Sequence, residues 1–247
     1  MNPAMRFAQL RMALMMLTRL PVGVFSGPVP TLEQARWAFP LVGLPVGLIG
    51  WGVFAGAAFL GLAPLTVGIV AVAAMALVTG ALHFDGLSDF ADGMGGRDRA
   101  RRLEIMRDSR IGSYGALAMI LVVLALAGSV GARAADVQAL WLFLLMAVAS
   151  RMLMLCVLDL LPPARADGLG QAASGTARPW VPGMIAVAVL TAMIGLPALG
   201  VLAGMAGAAL MIALLARRRL GGQTGDVLGA VQLSAETAGW VLVAAMF

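Results

Sequence analysis

From Trp37 through Leu82 the chain runs for 46 residues without a formal charge at neutral pH. One membrane crossing takes about 20 apolar residues, so this run is too long for one helix and too oily for a soluble one. It breaks at Gly61-Leu62-Ala63-Pro64, a turn signal, which predicts two helices near 37–60 and 65–82. Further apolar segments lie at 111–132 and at about 137–161, the latter with Arg151 and Asp159 inside it. Two shorter ones flank Gly195-Leu196-Pro197 within 179–216, and a last one runs from about Val227 to the C-terminus with Glu236 inside it. The expected fold is all-α: a polytopic membrane protein of about seven transmembrane helices, read as one integral-membrane domain over 1–247. Composition agrees, since 61% of residues are hydrophobic and 12% charged, where a soluble domain carries about a quarter charged residues. The first 20 residues mix Arg6, Arg11 and Arg19 with Met, Leu and Phe, which predicts an amphipathic helix on the membrane surface rather than a cleaved signal peptide.

Charge placement orients the spans. All seventeen basic residues are arginine. With seven crossings, fifteen of them fall on the N-terminal side: Arg6, Arg11, Arg19, Arg36, the six from Arg97 to Arg110, Arg165, Arg178, and Arg217 to Arg219. Arginine excess marks the cytoplasmic side, so the N-terminus is expected in the cytoplasm and the C-terminus outside. A net charge of +5 is then explained by cytoplasmic loops facing a lipid bilayer, and no nucleic-acid partner is needed. The single cysteine, Cys156, excludes an internal disulfide and, like Tyr114, reads as packing.

The same topology gathers three polar stretches at one boundary: 83–112, "LPPARADGLGQ" at 161–171 and "RRRLGGQTGDVLGA" at 217–230. The first, "HFDGLSDFADGMGGRDRARRLEIMRDSRIG", holds six of the twelve acidic residues and the only histidine. Asp85, Asp89 and Asp92 stand at i, i+4 and i+7, which on a helix projects them within about 60° of one another. Like charges so placed repel, and more strongly near a low-dielectric boundary, so a cation is expected among them. Oxygen-only ligands suit Mg²⁺ or Mn²⁺ held jointly with substrate phosphates. One histidine without thiolates is too few for an ordinary zinc site. Asp98 can cap a short helix whose Arg99, Arg101, Arg102, Arg107 and Arg110 offer forks for phosphate oxygens. The bland alternative for the arginine half is a solvated linker with internal ion pairs such as Glu104 with Arg107. Arg151 and Asp159 read either as an ion pair within one helix or as functional intramembrane charges.

These residues resemble the signature of the adenosylcobinamide-GDP ribazoletransferase (cobalamin synthase) family. "HFDGLSDFADG" followed by "GRDRARRLEIMRDSRIGSYG" is joined by "LTRLPV" at 17–22, "FPLVGLPVGLIG" at 39–50, "PPARADGLG" at 162–170 and "GGQTGDVLGA" at 221–230, in the family's order. One departure is Leu233, where members more usually show a glutamate, although Glu236 matches. The resemblance implies a Mg²⁺-dependent enzyme of the bacterial cytoplasmic (inner) membrane, with Mn²⁺ expected to substitute. It would join adenosylcobinamide-GDP to α-ribazole, or its 5′-phosphate, with release of GMP. On that reading Asp85, Asp89 and Asp92 hold metal, with Asp108 a further ligand. His83 or one aspartate accepts the hydroxyl proton, and Arg107, Arg110 and Arg165 contact the diphosphate. The turn at Gly222 and Asp226 contributes to substrate binding. The oligomeric state is open, and a homo-oligomer is allowed.

Two other classes share parts of this pattern. A CDP-alcohol-type phosphotransferase acting on a lipid alcohol uses the same metal logic, but the second half of its motif is absent in its spacing. A transporter would place ionisable groups near mid-membrane in repeated halves, whereas here the charge gathers at one boundary.

Overall fold

The backbone must satisfy its own polar groups in lipid, so apolar segments of this length have helices or closed barrels as their only options. A computed structural model describes residues 3–134, 136 and 139–246, and helices account for nearly all regular structure there, with one isolated bridge between Pro163 and Gln223. The start of the fourth predicted segment at 137–138 and Phe247 lie outside the described residues. The order is α1 (Pro3–Leu17), the one-turn α2 (Leu32–Ala35), α3 (Gly43–Phe59), α4 (Pro64–Val78), α5 (Leu82–Met94), α6 (Arg99–Ile105), α7 (Ser113–Gly131), α8 (Ala139–Leu160), α9 (Gly168–Ala173), α10 (Val181–Ile194), α11 (Pro197–Leu220) and α12 (Gly225–Met246).

Five of these are long and apolar enough to cross a membrane: Pro40–Phe59 containing α3, then α7, α8, α11 and α12. By length and composition alone the described residues give five such helices, or six, so the expected count of about seven is not confirmed. The α4 segment has 15 residues and α10 has 14, and at 1.5 Å per residue neither reaches the roughly 30 Å of a hydrocarbon core. A sixth span arises only if α4 and α5 are counted together, and they are bent by 91°. The bend is built by Gly80 and Ala81, both at positive φ (61° and 56°). For Ala81 this is strained backbone, held in place where α5 is turned across the bundle.

Packing sorts the helices into centre and rim. The apolar windows of α8 and α12 are 72% and 67% buried, that of α7 only 28%. The exposed side of α7 is correspondingly apolar, with Leu117, Ile120, Leu121 and Leu124 facing outward. Phe54, Phe143 and Trp240 form an aromatic chain through the centre, with ring centroids 5.2 Å and 4.8 Å apart. The N-terminal helix forms, but its faces are not cleanly divided. Gln9 is buried with Ala13 and Leu17 and accepts from Trp37 Nε1 at 2.8 Å, while Phe7 is exposed. The expected amphipathic surface helix is thus a helix docked on the bundle through a mixed face.

Pro64 packs beneath Gly131 and Gly200 against Met246, so the α3–α4 turn, the end of α7 and the end of α12 lie away from the loops at 95–112, 161–180 and 221–224. Asp159, near the end of α8, does not pair with Arg151. Its Oδ1 accepts from Arg36 at 2.7 Å with both side chains 1% exposed, and its Oδ2 accepts from Trp180 Nε1 at 2.8 Å. Arg36 also donates to the carbonyls of Ala173, Gly175 and Ala177. Arg151 instead donates to Ala147 O at 2.9 Å. Helix geometry explains the swap: eight residues separate 151 from 159, more than two turns along one helix, beyond side-chain reach. Removing one partner of a buried pair leaves an uncompensated charge, at a cost of about 3–5 kcal/mol. Arg36→Met should therefore lower the unfolding temperature of the detergent-solubilised protein sharply. The double variant Arg36→Met/Asp159→Asn should recover a clear part of that loss in the same thermal scan.

Candidate active site

Helix α5 lies across the first turns of two spanning helices. Asp92 accepts from Gly112 N and Gly115 N, both at 2.8 Å, and so caps α7. At the other side, a Cβ on Gly86 would stand 3.0 Å from the carbonyl oxygen of Asp226 and 3.1 Å from Gly229 Cα. That near backbone-to-backbone approach sets Asp85 and Asp89 beside Asp226 in the first turn of α12. The aspartate stripe is thereby split by use: Asp85 is exposed, Asp89 half-buried, and both oxygens of Asp92 are occupied by the cap.

The other two polar stretches close over this helix. Arg99 donates to Leu220 O at 2.6 Å and to Ala164 O at 2.7 Å. Ala164 N donates to Gln223 O and Gln223 N to Pro162 O, each at 2.8 Å. The loops meet so closely that a Cβ on Gly222 would lie 2.0 Å from Pro162 O. Gly222, expected to offer its amide to substrate, instead permits loop packing. Arg165 is set between them, 3.6 Å from Asp226 and donating to Leu103 O at 3.0 Å.

Electrostatics at this cleft is dominated by carboxylates. Asp89 is raised to about 7, first by burial and then by the charges of Asp85, Asp226 and Asp92, with Arg165 opposing. Burial also presses the Arg165 guanidinium down, against the pull of Asp226. His83 is 3% exposed and its Nε2 has no hydrogen-bond partner. Burial and then the Arg151 charge push its pKa well below the ordinary range, so the ring is neutral. A shared proton or a bound cation relieves carboxylates so placed.

The remaining expected site residues lie elsewhere. Arg107 forks Asp167 at 2.6 and 2.7 Å rather than pairing with Glu104, which takes Arg101 at 2.9 Å. Asp108 is paired with Arg110 at 2.6 Å on an exposed loop and is held at about 2, chiefly by that hydrogen bond. It does not join Asp85 and Asp89. Asp98 does cap α6, accepting from Arg101 N at 2.9 Å. Glu236 sits in the bundle interior, bonded by Gln232 and by Ser150 at 3.4 Å, and Leu233 is buried near it. Among the described residues, no three His, Cys, Asp or Glu side chains converge as a ready-made metal site. Sequence reasoning also missed an apolar cavity of about 180 Å³ beside Asp85 and Asp226. Its walls come from distant elements, so no local motif could have announced it.

Comparison with known proteins is consistent along the whole chain. A protein of Bradyrhizobium diazoefficiens named adenosylcobinamide-GDP ribazoletransferase is 46% identical, over 97% of this chain and 94% of its own length. Proteins of the same name from Azorhizobium caulinodans (43%, 92% and 91%) and Mesorhizobium japonicum (40%, 96% and 93%) are similarly close. No solved structure matches. The profile of the cobalamin-5-phosphate synthase family matches residues 9–244, and the chain belongs to that family.

Proposed function

We propose that this chain is a membrane-embedded transferase that joins adenosylcobinamide-GDP to α-ribazole, or its 5′-phosphate, and releases GMP. The observation that carries the reading is the meeting of Asp85, Asp89, Asp226 and Arg165 at one end of the helix bundle, in a chain whose relatives bear that activity's name over nearly their full length. In the reaction, the ribose hydroxyl oxygen bonds to the cobinamide-linked phosphorus. The bond from that phosphorus to the bridging oxygen breaks, and GMP departs with that oxygen. Such transfers ask chiefly for positioning and charge neutralisation.

The residues divide this work. Arg165 faces Asp226 and Asp89 and is the cation placed to meet a diphosphate oxygen. Asp226 takes the hydroxyl proton. His83 is a poor acceptor, because an imidazolium there would be buried near Arg151. Asp85 and Asp89 fit Mg²⁺: they are hard oxygen donors one helical turn apart, their mutual repulsion calls for a cation, and two carboxylates plus phosphate oxygens are an ordinary Mg²⁺ set. Bound there, Mg²⁺ or Mn²⁺ would offset the charge that builds on the phosphate oxygens. Asp92 and Asp108 are left out of that set, since one caps α7 and the other is paired on the surface.

The proposed setting is the bacterial cytoplasmic membrane with the site inside and the end of α12 outside. A lipid-alcohol acceptor is the competing reading, and it fails if product forms from purified protein, adenosylcobinamide-GDP and α-ribazole without added lipid alcohol.

Three outcomes are expected. Asp226→Asn should lower kcat by about a hundredfold or more, the range of lost acid–base catalysis, with the KM for adenosylcobinamide-GDP little changed in steady-state assays. Mn²⁺ binding read by electron paramagnetic resonance should weaken markedly in Asp85→Asn and Asp89→Asn and stay at wild-type strength in Asp108→Asn. In a Cys156→Ser background, Leu62→Cys should react with an impermeant maleimide on intact cells, while Arg97→Cys should react only after permeabilisation.

A further inference from the structure

The cavity beside Asp85 and Asp226 is divided sharply in character. Its walls include Phe39, Met154, Ala173 and Leu228, which are shielded from bulk solvent (4%, 4%, 4% and 8% exposed) yet border open space. The pocket is open on one side, as a ligand site must be, and its floor is apolar. The polar lining comes only from Asp85 and Asp226, neighbours across the α5–α12 contact, and from His83. No arginine borders it.

That lining discriminates among the parts of the two substrates. The apolar walls offer a diphosphate no donors, and about 180 Å³ is far too small for a corrin ring. The acceptor's benzimidazole-type base with its ribose matches on both counts: its apolar rings suit apolar walls that would leave guanine's polar edge unpaired, and its hydroxyls suit the carboxylate end. We propose that this cavity binds the heteroaromatic base of the acceptor nucleoside and that Ala173 and Leu228 set the size of base accepted. This rests on the functional reading above and deepens it. The base lies among α5, α8, α9 and α12, and its ribose hydroxyl is delivered to Asp226. Ala173 closes the wall on α9, where any larger side chain takes ring space. Leu228 faces it from α12, where truncation adds space.

The experiment measures kcat/KM for ribosides of benzimidazole, 5,6-dimethylbenzimidazole and naphthimidazole with wild type, Ala173→Leu and Leu228→Ala, at saturating adenosylcobinamide-GDP. Ala173→Leu should shift preference toward the smallest base by about tenfold or more, the usual effect of a misfit methylene or two. Leu228→Ala should shift it in the opposite direction, with the KM for adenosylcobinamide-GDP unchanged in both. Preference is a ratio within one preparation, so partial loss of folded protein does not imitate it. If Ala173→Leu yields no folded protein, the Leu228→Ala shift decides alone. Equilibrium dialysis of labelled α-ribazole, without the second substrate, should show weaker binding to Ala173→Leu. Equal effects on all three bases, or a change confined to adenosylcobinamide-GDP, would overturn the assignment. Absence of product from wild type with every acceptor would instead overturn the functional reading on which it rests.

Discussion

The contact between Gly86 on α5 and Gly229 on α12 is the constraint on which the site depends. With backbone against backbone, a Cβ added at either position falls within about 3.0 to 3.3 Å of the opposite chain. This separation sets Asp85 and Asp89 beside Asp226, whose charge adds to burial and to Asp85 in raising the Asp89 carboxyl to about 7. The repulsion so created is opposed by Arg165, which reaches the cleft because Arg99 ties the Ala164 and Leu220 carbonyls together. Glycine contact, carboxylate cluster and arginine tie form one chain of cause. Loosening the first disperses the charge that the last two are arranged to meet.

A bundle that keeps charge at one end still needs internal polar groups to hold it in register. Gln232 donates to Ser150 Oγ at 2.9 Å and bonds Glu236, joining α12 to α8 inside the apolar interior. Arg36 and Asp159 do the same where the bundle meets its loops, locking the 173–178 segment over the end of α8. Buried pairs of this kind contribute little net stability, but breaking one is expensive. They therefore penalise alternative helix registers. The α9 wall of the acceptor cavity hangs from this second anchor, through the bond from Arg36 to the Ala173 carbonyl.

Much of this was legible in the sequence, and for identifiable reasons. Helices at 43–59 and 113–131 follow from uncharged runs bounded by turns and arginines, and that at 225–246 from an apolar segment with Glu236 inside it, because lipid leaves a backbone few choices. The gathering of stretches 83–112, 161–171 and 217–230 follows from counting crossings, and their interlocked carbonyls agree. Two kinds of feature stayed hidden. Span length at α4 and α10 depends on where the backbone turns, and the left-handed Gly80-Ala81 pair leaves no mark in hydropathy. Partner choice is equally silent: spacing alone offered Arg151 to Asp159 and Glu104 to Arg107, while the fold supplied Arg36 and Asp167 from more distant segments.

The sequence by itself determined the solvent, the helical class, the end of the bundle that carries the charge and the membership in a family. Each of these rests on local composition or on an ordered string of motifs, which survive without any knowledge of packing. Tertiary structure alone decided how the aspartate stripe is used: Asp92 spent on capping α7, Asp108 held on the surface, Asp85 and Asp89 turned toward Asp226. It alone formed the apolar cavity, since Phe39, Met154, Ala173 and Leu228 line one space only when four separate elements pack. The physical reason is common to both. Helical periodicity sets which side chains share a face, but the groups that meet that face belong to other helices, and close approach at a few glycines selects them.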